Sequence, residues 1–224
     1  MMINRRRVCG GKSLPYEAEV EYLGKDLRTA SNRGAYIDTG IITNGNTKVV
    51  VEYSESTRTR HNVWVYGVRI SAGSYRYGLL FYGTLGNASW QEQSDKGLRY
   101  DYNKANKFIT LNTTDASANR LLFESTKGTF EVNGTQYSSV SAAIYNTGYS
   151  LYLFALNTAG TMTFDDIYSD AEFYIHKAQI YNDEQLVFDS IPVRKNGKGY
   201  FYDKISGKLF GNAGTGEFIL GPDR

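Results

Sequence analysis

Gly128-Thr129-Phe130-Glu131-Val132-Asn133-Gly134-Thr135-Gln136-Tyr137-Ser138-Ser139 decides the fold class. Apolar and polar residues alternate through 128–132, the period-two pattern of a half-buried strand. Asn133-Gly134 follows, the dipeptide best suited to the two positive φ angles of a tight type I′ turn, and 135–139 returns as a second strand. The stretch therefore predicts an antiparallel hairpin. Working outward, the same pattern recurs at 120–124, 107–112, 98–102, 77–82 and 63–70 on one side. Beyond these lie 47–53 and 35–41, separated by Asn44-Gly45-Asn46, and then 17–22, where Glu17, Glu19 and Glu21 alternate with Ala18, Val20 and Tyr22. On the other side come 150–156, an unbroken apolar run expected of a strand buried on both faces, then 173–181, 185–193, 200–203, 208–210 and 217–220. No segment of 10–15 residues carries a strong helical period; a short helical turn fits at 139–145 or 165–170. More than a dozen short strands with hairpin-like connections predict an all-β, antiparallel two-sheet jelly-roll sandwich.

Composition agrees. The 224 residues suit one sandwich domain, which we place at 16–224 behind a short arm at 1–15. The 19 Tyr and 11 Phe favour pleated, half-buried surfaces, and 23 Gly against 3 Pro favour tight turns over linkers. A net charge of +2 argues against a general nucleic-acid partner. The basic residues concentrate locally at Arg5, Arg6, Arg7 and Lys12, read either as a solvated arm or as an anchor for an acidic partner. Cys9 stands alone, so the chain forms no internal disulfide. No apolar run follows the basic cluster as a signal peptide requires, and none approaches the ~20 residues of a membrane span. Synthesis in the cytoplasm without secretion is the expectation.

Three stretches carry a family resemblance. They are Tyr16 to Leu23 followed by Ala35-Tyr36-Ile37-Asp38-Thr39-Gly40-Ile41; Tyr152-Leu153-Phe154-Ala155-Leu156-Asn157; and Ile191-Pro192-Val193-Arg194 with Gly199-Tyr200-Phe201-Tyr202-Asp203 and Asn212-Ala213-Gly214-Thr215-Gly216-Glu217-Phe218. Together they resemble the laminin-G-like, concanavalin A-like jelly-roll modules of gut bacteria (Bacteroidetes), their phages and prophages, across residues 16–222. The chain departs from that pattern at 24–33, a longer and more basic connection. Without the family, the glycines of the last block already suggest short reversing strands that close the core.

Several constellations could carry chemistry. Glu17, Glu19 and Glu21 would share a strand face about 6.5–7 Å apart. That spacing is close to the carboxylate pair of a retaining glycosidase, and the resemblance includes folds that hydrolyse glucans. The solvent-facing alternative is an acidic row blunting an edge strand. His176, within a strand, is expected to be hydrogen-bonded structurally, and His61 to be exposed in a turn; no nucleophile elbow accompanies them. Cys9 has no fixed base nearby. Asp165, Asp166 and Asp170 form a weak candidate Ca²⁺ loop. Glycan binding rests on aromatic platforms with polar neighbours: Trp64 and Tyr66, read as sharing one strand face, with Arg69, Tyr75, Tyr77 and Trp90. Trp64 and Tyr66 could instead fill the core, and the same surface could recognise protein. The asparagines of three N-x-Ser/Thr matches, Asn87, Asn112 and Asn133, have no secretory route to make them acceptors.

The resemblance and the missing signal sequence imply a non-enzymatic phage virion component: a head-fibre, capsid-decoration or tail-associated lectin-like domain. Its partners would be virion proteins or further copies of itself, a homotrimer by analogy, and a host surface glycan. A bacterial carbohydrate-binding module or adhesin is the alternative, and a glycoside hydrolase a more distant one.

Overall fold

The computed structural model describes residues 8–9, 12–56, 63–71, 76–81, 97–126, 128–139, 146–163 and 172–224. Two antiparallel sheets stack face to face as a sandwich. The larger runs Thr135–Ser139, Thr129–Val132, Leu121–Thr126, Lys48–Glu55, Glu172–Asn182, Gln185–Lys195, Lys198–Asp203, Lys208–Phe210 from edge to edge. The smaller runs Ala105–Thr110, Gly97–Asn103, Arg76–Phe81, Val63–Arg69, Ser150–Leu153, Ile37–Ile42. Leu156–Thr158 joins the smaller sheet in parallel with Val63–Arg69, an exception to the antiparallel rule. Within the stretch read as an arm, Val8–Cys9 pairs with Lys12–Ser13. Among the described residues no helix is long and apolar enough to cross a membrane.

The hairpin that fixed the class is present. Val132 pairs with Thr135, and Asn133 (φ 49°) and Gly134 (φ 80°) both take the left-handed conformation that the turn demands.

The tyrosine-rich composition has a core explanation. Tyr66, Tyr77, Tyr100 and Tyr102 rise from the smaller sheet into the inter-sheet core, fully buried. Burying such rings supplies roughly 1.5–3 kcal/mol each, but each hydroxyl then needs a partner. The larger sheet and the turn leading into Lys48–Glu55 provide them. Tyr102 donates to the Gly45 carbonyl (2.5 Å) and Tyr100 to that of Thr126 (2.8 Å). Tyr77 meets the Ser125 hydroxyl (2.9 Å), and Tyr66 meets that same hydroxyl. Burial pushes the Tyr66 phenol well above its ordinary range and Tyr102 up to about 12. The four rings tie one sheet to the other.

A second tie crosses the far end of the core. Phe154 packs against Phe173, Phe201 and Phe218 with a backbone φ of 66°, unusual for a bulky residue. The buried Lys25 ammonium donates to its carbonyl (2.7 Å), and the Phe154 N–H donates to the Val65 carbonyl (2.9 Å). These bonds hold a kink that ends Ser150–Leu153 and restarts the chain at Leu156. The continuous strand expected over 150–156 is thus two strands, because the chain reverses and runs back, now parallel, along the same edge of Val63–Arg69, the edge opposite Arg76–Phe81.

The Asn212–Gly216 block closes the sandwich against 31–36. Asn212 Oδ1 accepts from the Tyr36 and Gly214 N–H groups (3.1 and 2.9 Å), while its amide donates to the Gly216 carbonyl (2.8 Å). Gly214 is obligatory here: a Cβ on it would sit 1.9 Å from the Gly34 carbonyl oxygen.

Three expectations need correction. Residues 17–22 are not one strand: only Ala18–Glu19 pairs with Gln185–Lys195, Val20 makes an isolated bridge to Asp223, and the chain then bends. Residues 24–33 are not simply a connection, because Leu23–Asp26 inserts between Glu172–Asn182 and Ile219–Leu220. A short helix, Thr113–Ser117, forms where none was expected, its first turn capped by Asn112 Oδ1 accepting from the Asp115 N–H (2.7 Å).

Candidate functional site

The outer face of the smaller sheet holds a charged cluster of low exposure. Strand parity builds it. Tyr77, Leu79 and Phe81 face the core, which turns Arg76, Gly78 and Leu80 outward; Leu98, Tyr100 and Tyr102 likewise turn Arg99 and Asp101 outward. The ladder sets Arg69 opposite Arg76, Arg76 opposite Asn103, and Gly78 opposite Asp101. Asp101, only 1% exposed, receives both arms of the Arg99 guanidinium (2.8 and 2.8 Å), and the Arg76 Nε lies 3.4 Å from it. Such two-armed pairing is the strong form of a charge-assisted bond. Arg69 differs. It is half-buried, and its Nε donates to the Thr158 hydroxyl (2.9 Å) rather than to a carboxylate. Burial is the main force holding its pKa below the ordinary guanidinium value; Asp101 opposes this, and the like charges of Arg76 and Arg99 add to it. Arg76 and Arg99 thus share Asp101, with Arg69 close by. The buried Asn103 Oδ1 lacks a donor among the described residues.

The aromatic platform expected beside this cluster is not there. Trp64 and Tyr66 do not share a face. The ladder shifts between them, Trp64 lying opposite Leu80 and Tyr66 opposite Leu79, so Val65 is the extra residue of a β-bulge. Val65 and Tyr66 both face the core, while Trp64 goes outward into a separate cluster with Leu80 and Leu156. There its ring lies over Gly67 and Gly78, where a Cβ would meet indole carbons at 3.0 and 2.9 Å. With Trp64 7% exposed and Tyr66 and Tyr77 fully buried, none of the three offers a ring to a sugar. Tyr75 and Trp90 lie outside the described residues, as do His61, Asn87, the basic cluster Arg5, Arg6 and Arg7, and the proposed Ca²⁺ ligands Asp165, Asp166 and Asp170. Lys12 lies in a short described strand. Among the described residues, no three His, Cys, Asp or Glu side chains are grouped to hold a metal ion.

The alternating glutamates are dispersed in their commitments. Glu17 faces Arg194 (3.9 Å), Glu19 accepts from the Tyr16 hydroxyl (3.2 Å), and Glu21 lies 4.0 Å from Arg120. His176 is clamped, as expected of a structural residue. Its Nδ1–H donates to the Glu21 carbonyl (3.1 Å), which leaves Nε2 to accept from the Ser54 hydroxyl (2.6 Å). Burial is the main cause of its lowered pKa, with Arg120 adding repulsion.

Reading the sequence found Arg69 but missed Arg76, Arg99, Asp101 and Thr158. A signal was present: Arg99 and Asp101 interleave with Leu98, Tyr100 and Tyr102, so a core-facing aromatic parity forces both charges onto one face. The chain matches no known family model, and no curated protein matches it.

Proposed function

We propose that this chain is a non-enzymatic component of a bacteriophage particle, a head-fibre, decoration or tail-associated sandwich that attaches to a host surface glycan through the outer face of its smaller sheet. The phage setting rests on the resemblance of 16–222 to laminin-G-like modules. The attachment face rests on one observation: Arg69, Arg76 and Arg99 gather about Asp101 on three neighbouring strands. Rigid strands hold such groups better than loops do. The separate partners of Glu17, Glu19 and Glu21 favour binding over hydrolysis, since a glycosidase needs two carboxylates facing one bond.

Mass spectrometry of gradient-purified particles tests the setting, and a glycan array probed with the purified chain tests the activity. Co-purification with particles and selective array binding are expected. A chain absent from particles moves the reading to a bacterial carbohydrate-binding module, and reducing-sugar release from a bound glycan overturns the non-enzymatic assignment.

A further inference from the structure

We propose that Asn196 is a site of spontaneous chemical modification, where the folded chain loses the side-chain ammonia and passes through a cyclic imide to aspartate and isoaspartate. This chemistry is independent of the attachment reading above.

The chain contains three Asn-Gly pairs, Asn44-Gly45, Asn133-Gly134 and Asn196-Gly197. A glycine after asparagine favours ring closure, because no side chain shields the backbone nitrogen that must attack. By sequence the three pairs are alike. What separates them is the set of bonds each carboxamide already makes in the fold.

The Asn133 carboxamide is held at both ends. Its Oδ1 accepts from the Leu122 N–H (2.8 Å) and its Nδ2 donates to Asp115 Oδ1 (2.8 Å). Asn44 is held likewise: Nδ2 donates to Asp183 (3.0 Å), Oδ1 accepts from the Asn46 N–H (2.8 Å), and the next residue, Gly45, is buried. Having to break two such bonds holds the reactive rotamer back by about 10-fold or more.

Asn196 differs. With Gly197 it forms the exposed two-residue tip between the paired Lys195 and Lys198, at φ 51° and 73°. Its backbone N–H donates to Glu17 Oε1 (3.0 Å), but its carboxamide has no hydrogen-bond partner among the described residues, and the Gly197 N–H donates to none of them. A Cβ on Gly197 would meet nothing within 4 Å, so the tip is uncrowded. Turning the carboxamide toward the Gly197 nitrogen breaks no bond, and local opening at a hairpin tip costs little.

The Gly197 nitrogen gives its proton to solvent and attacks Asn196 Cγ. The N–Cγ bond forms, the Cγ–Nδ2 bond breaks, and the amide leaves as ammonia with a proton from solvent. Water then adds to one of the two imide carbonyls. Opening one way restores the ordinary backbone as aspartate, and opening the other way routes the backbone through the former side chain as isoaspartate. Either product sets a new carboxylate near that of Glu17, which already faces Arg194 at 3.9 Å. Isoaspartate also adds a carbon to a turn whose two-residue length sets the register of its flanking strands.

Incubating the full chain at mildly alkaline pH in water enriched in heavy oxygen, folded and in guanidinium chloride, tests this by peptide mapping with mass spectrometry. In the folded chain Asn196 is expected to take up label about 10-fold or more faster than Asn44 or Asn133, as two chromatographically distinct products. In denaturant the three rates should converge. Asn196→Gln should remove the fast-labelled peptide without lowering the melting temperature. Asn44 or Asn133 converting as fast as Asn196 in the folded chain overturns the proposal. So does an Asn196 that stays intact when folded while it converts in denaturant. A lead for Asn196 that is equally large in denaturant also overturns it, since local sequence would then set the order.

Discussion

Removing the Ser125 hydroxyl should cost the sandwich more than one hydrogen bond, and a second substitution should give part of that cost back. Ser125 is buried in the larger sheet, where its Oγ accepts from Tyr66, meets Tyr77 at 2.9 Å and donates to the Val49 carbonyl at 3.4 Å. Tyr77 keeps two other acceptors, the Ser125 and Thr47 carbonyls (3.1 and 3.3 Å). Tyr66 is fully buried and has no such carbonyl bond. Ser125→Ala therefore loses about 1 kcal/mol of net bonding and leaves a buried phenol short of its partner for about 1–2 kcal/mol more. Tyr66→Phe alone should cost about 1 kcal/mol, since Ser125 retains Tyr77 and Val49. The double variant removes the stranded hydroxyl, so it should be more stable than Ser125→Ala by about 1 kcal/mol. With a urea slope of roughly 3 kcal/mol per molar, the single and double variants should differ in midpoint by roughly 0.3 M. Equilibrium urea unfolding followed by tryptophan fluorescence measures this. A double variant whose loss equals the sum of the two single losses would refute the idea that these tyrosines bind the sheets through matched hydroxyls.

Other outcomes follow from the same structure. Trp64→Ala should destabilise the fold by about 3 kcal/mol, the value of a packed indole, in thermal melts, since the ring covers Gly67 and Gly78 rather than solvent. Gly214→Ala should lower the melting temperature sharply or abolish folding, whereas Gly197→Ala, where a Cβ meets nothing but φ is +73°, should cost only about 1 kcal/mol. The folded-state pKa of His176 lies below the unfolded value of 6.5, so the unfolded chain binds the extra proton first. Stability from this residue is fully present above pH 6.5 and falls as pH drops from there through the lower folded value; urea midpoints against pH should show the decline, and His176→Gln should flatten it. Tyr102, Tyr137, Tyr152 and Tyr174, each pushed up to about 12 chiefly by burial, should ionise well after the exposed phenols in a 295 nm titration.

The fold class was legible because alternation and turn chemistry agree residue by residue: Asn133-Gly134 adopts the turn its composition demands, and 172–182 and 185–195 pair as long neighbouring strands. His176 was legible for the same reason, since a histidine inside an alternating run must find partners within the sheet. The site was harder. Alternation assigns faces only while the register is unbroken, and the bulge at Val65 reverses the assignment for everything on one side of it. Its signal was indirect, a pair of glycines, Gly67 and Gly78, placed opposite each other to leave room for an indole. Asn112 matched a modification motif by spelling while its amide was serving as a helix cap. The arginine cluster depends on three successive strands, and at Thr158 a distant one, coming into one register, which alternation within any single strand does not specify.

The seam between the front and back of the chain bears on how the protein is made. Glu21 receives the Arg224 guanidinium on its carbonyl, Glu19 receives the Arg224 amide, and Gly24 pairs with Ile219. A ribosome delivering this polypeptide in order must hold Ala18–Glu19 and Leu23–Asp26 without neighbours until 172–195 emerge, and without their last contacts until 219–224 follow. Cooperative assembly of the sandwich is thus postponed until those residues are out of the tunnel, and a nascent chain with only residues up to about 170 exposed should be far more sensitive to protease than one exposed past 224.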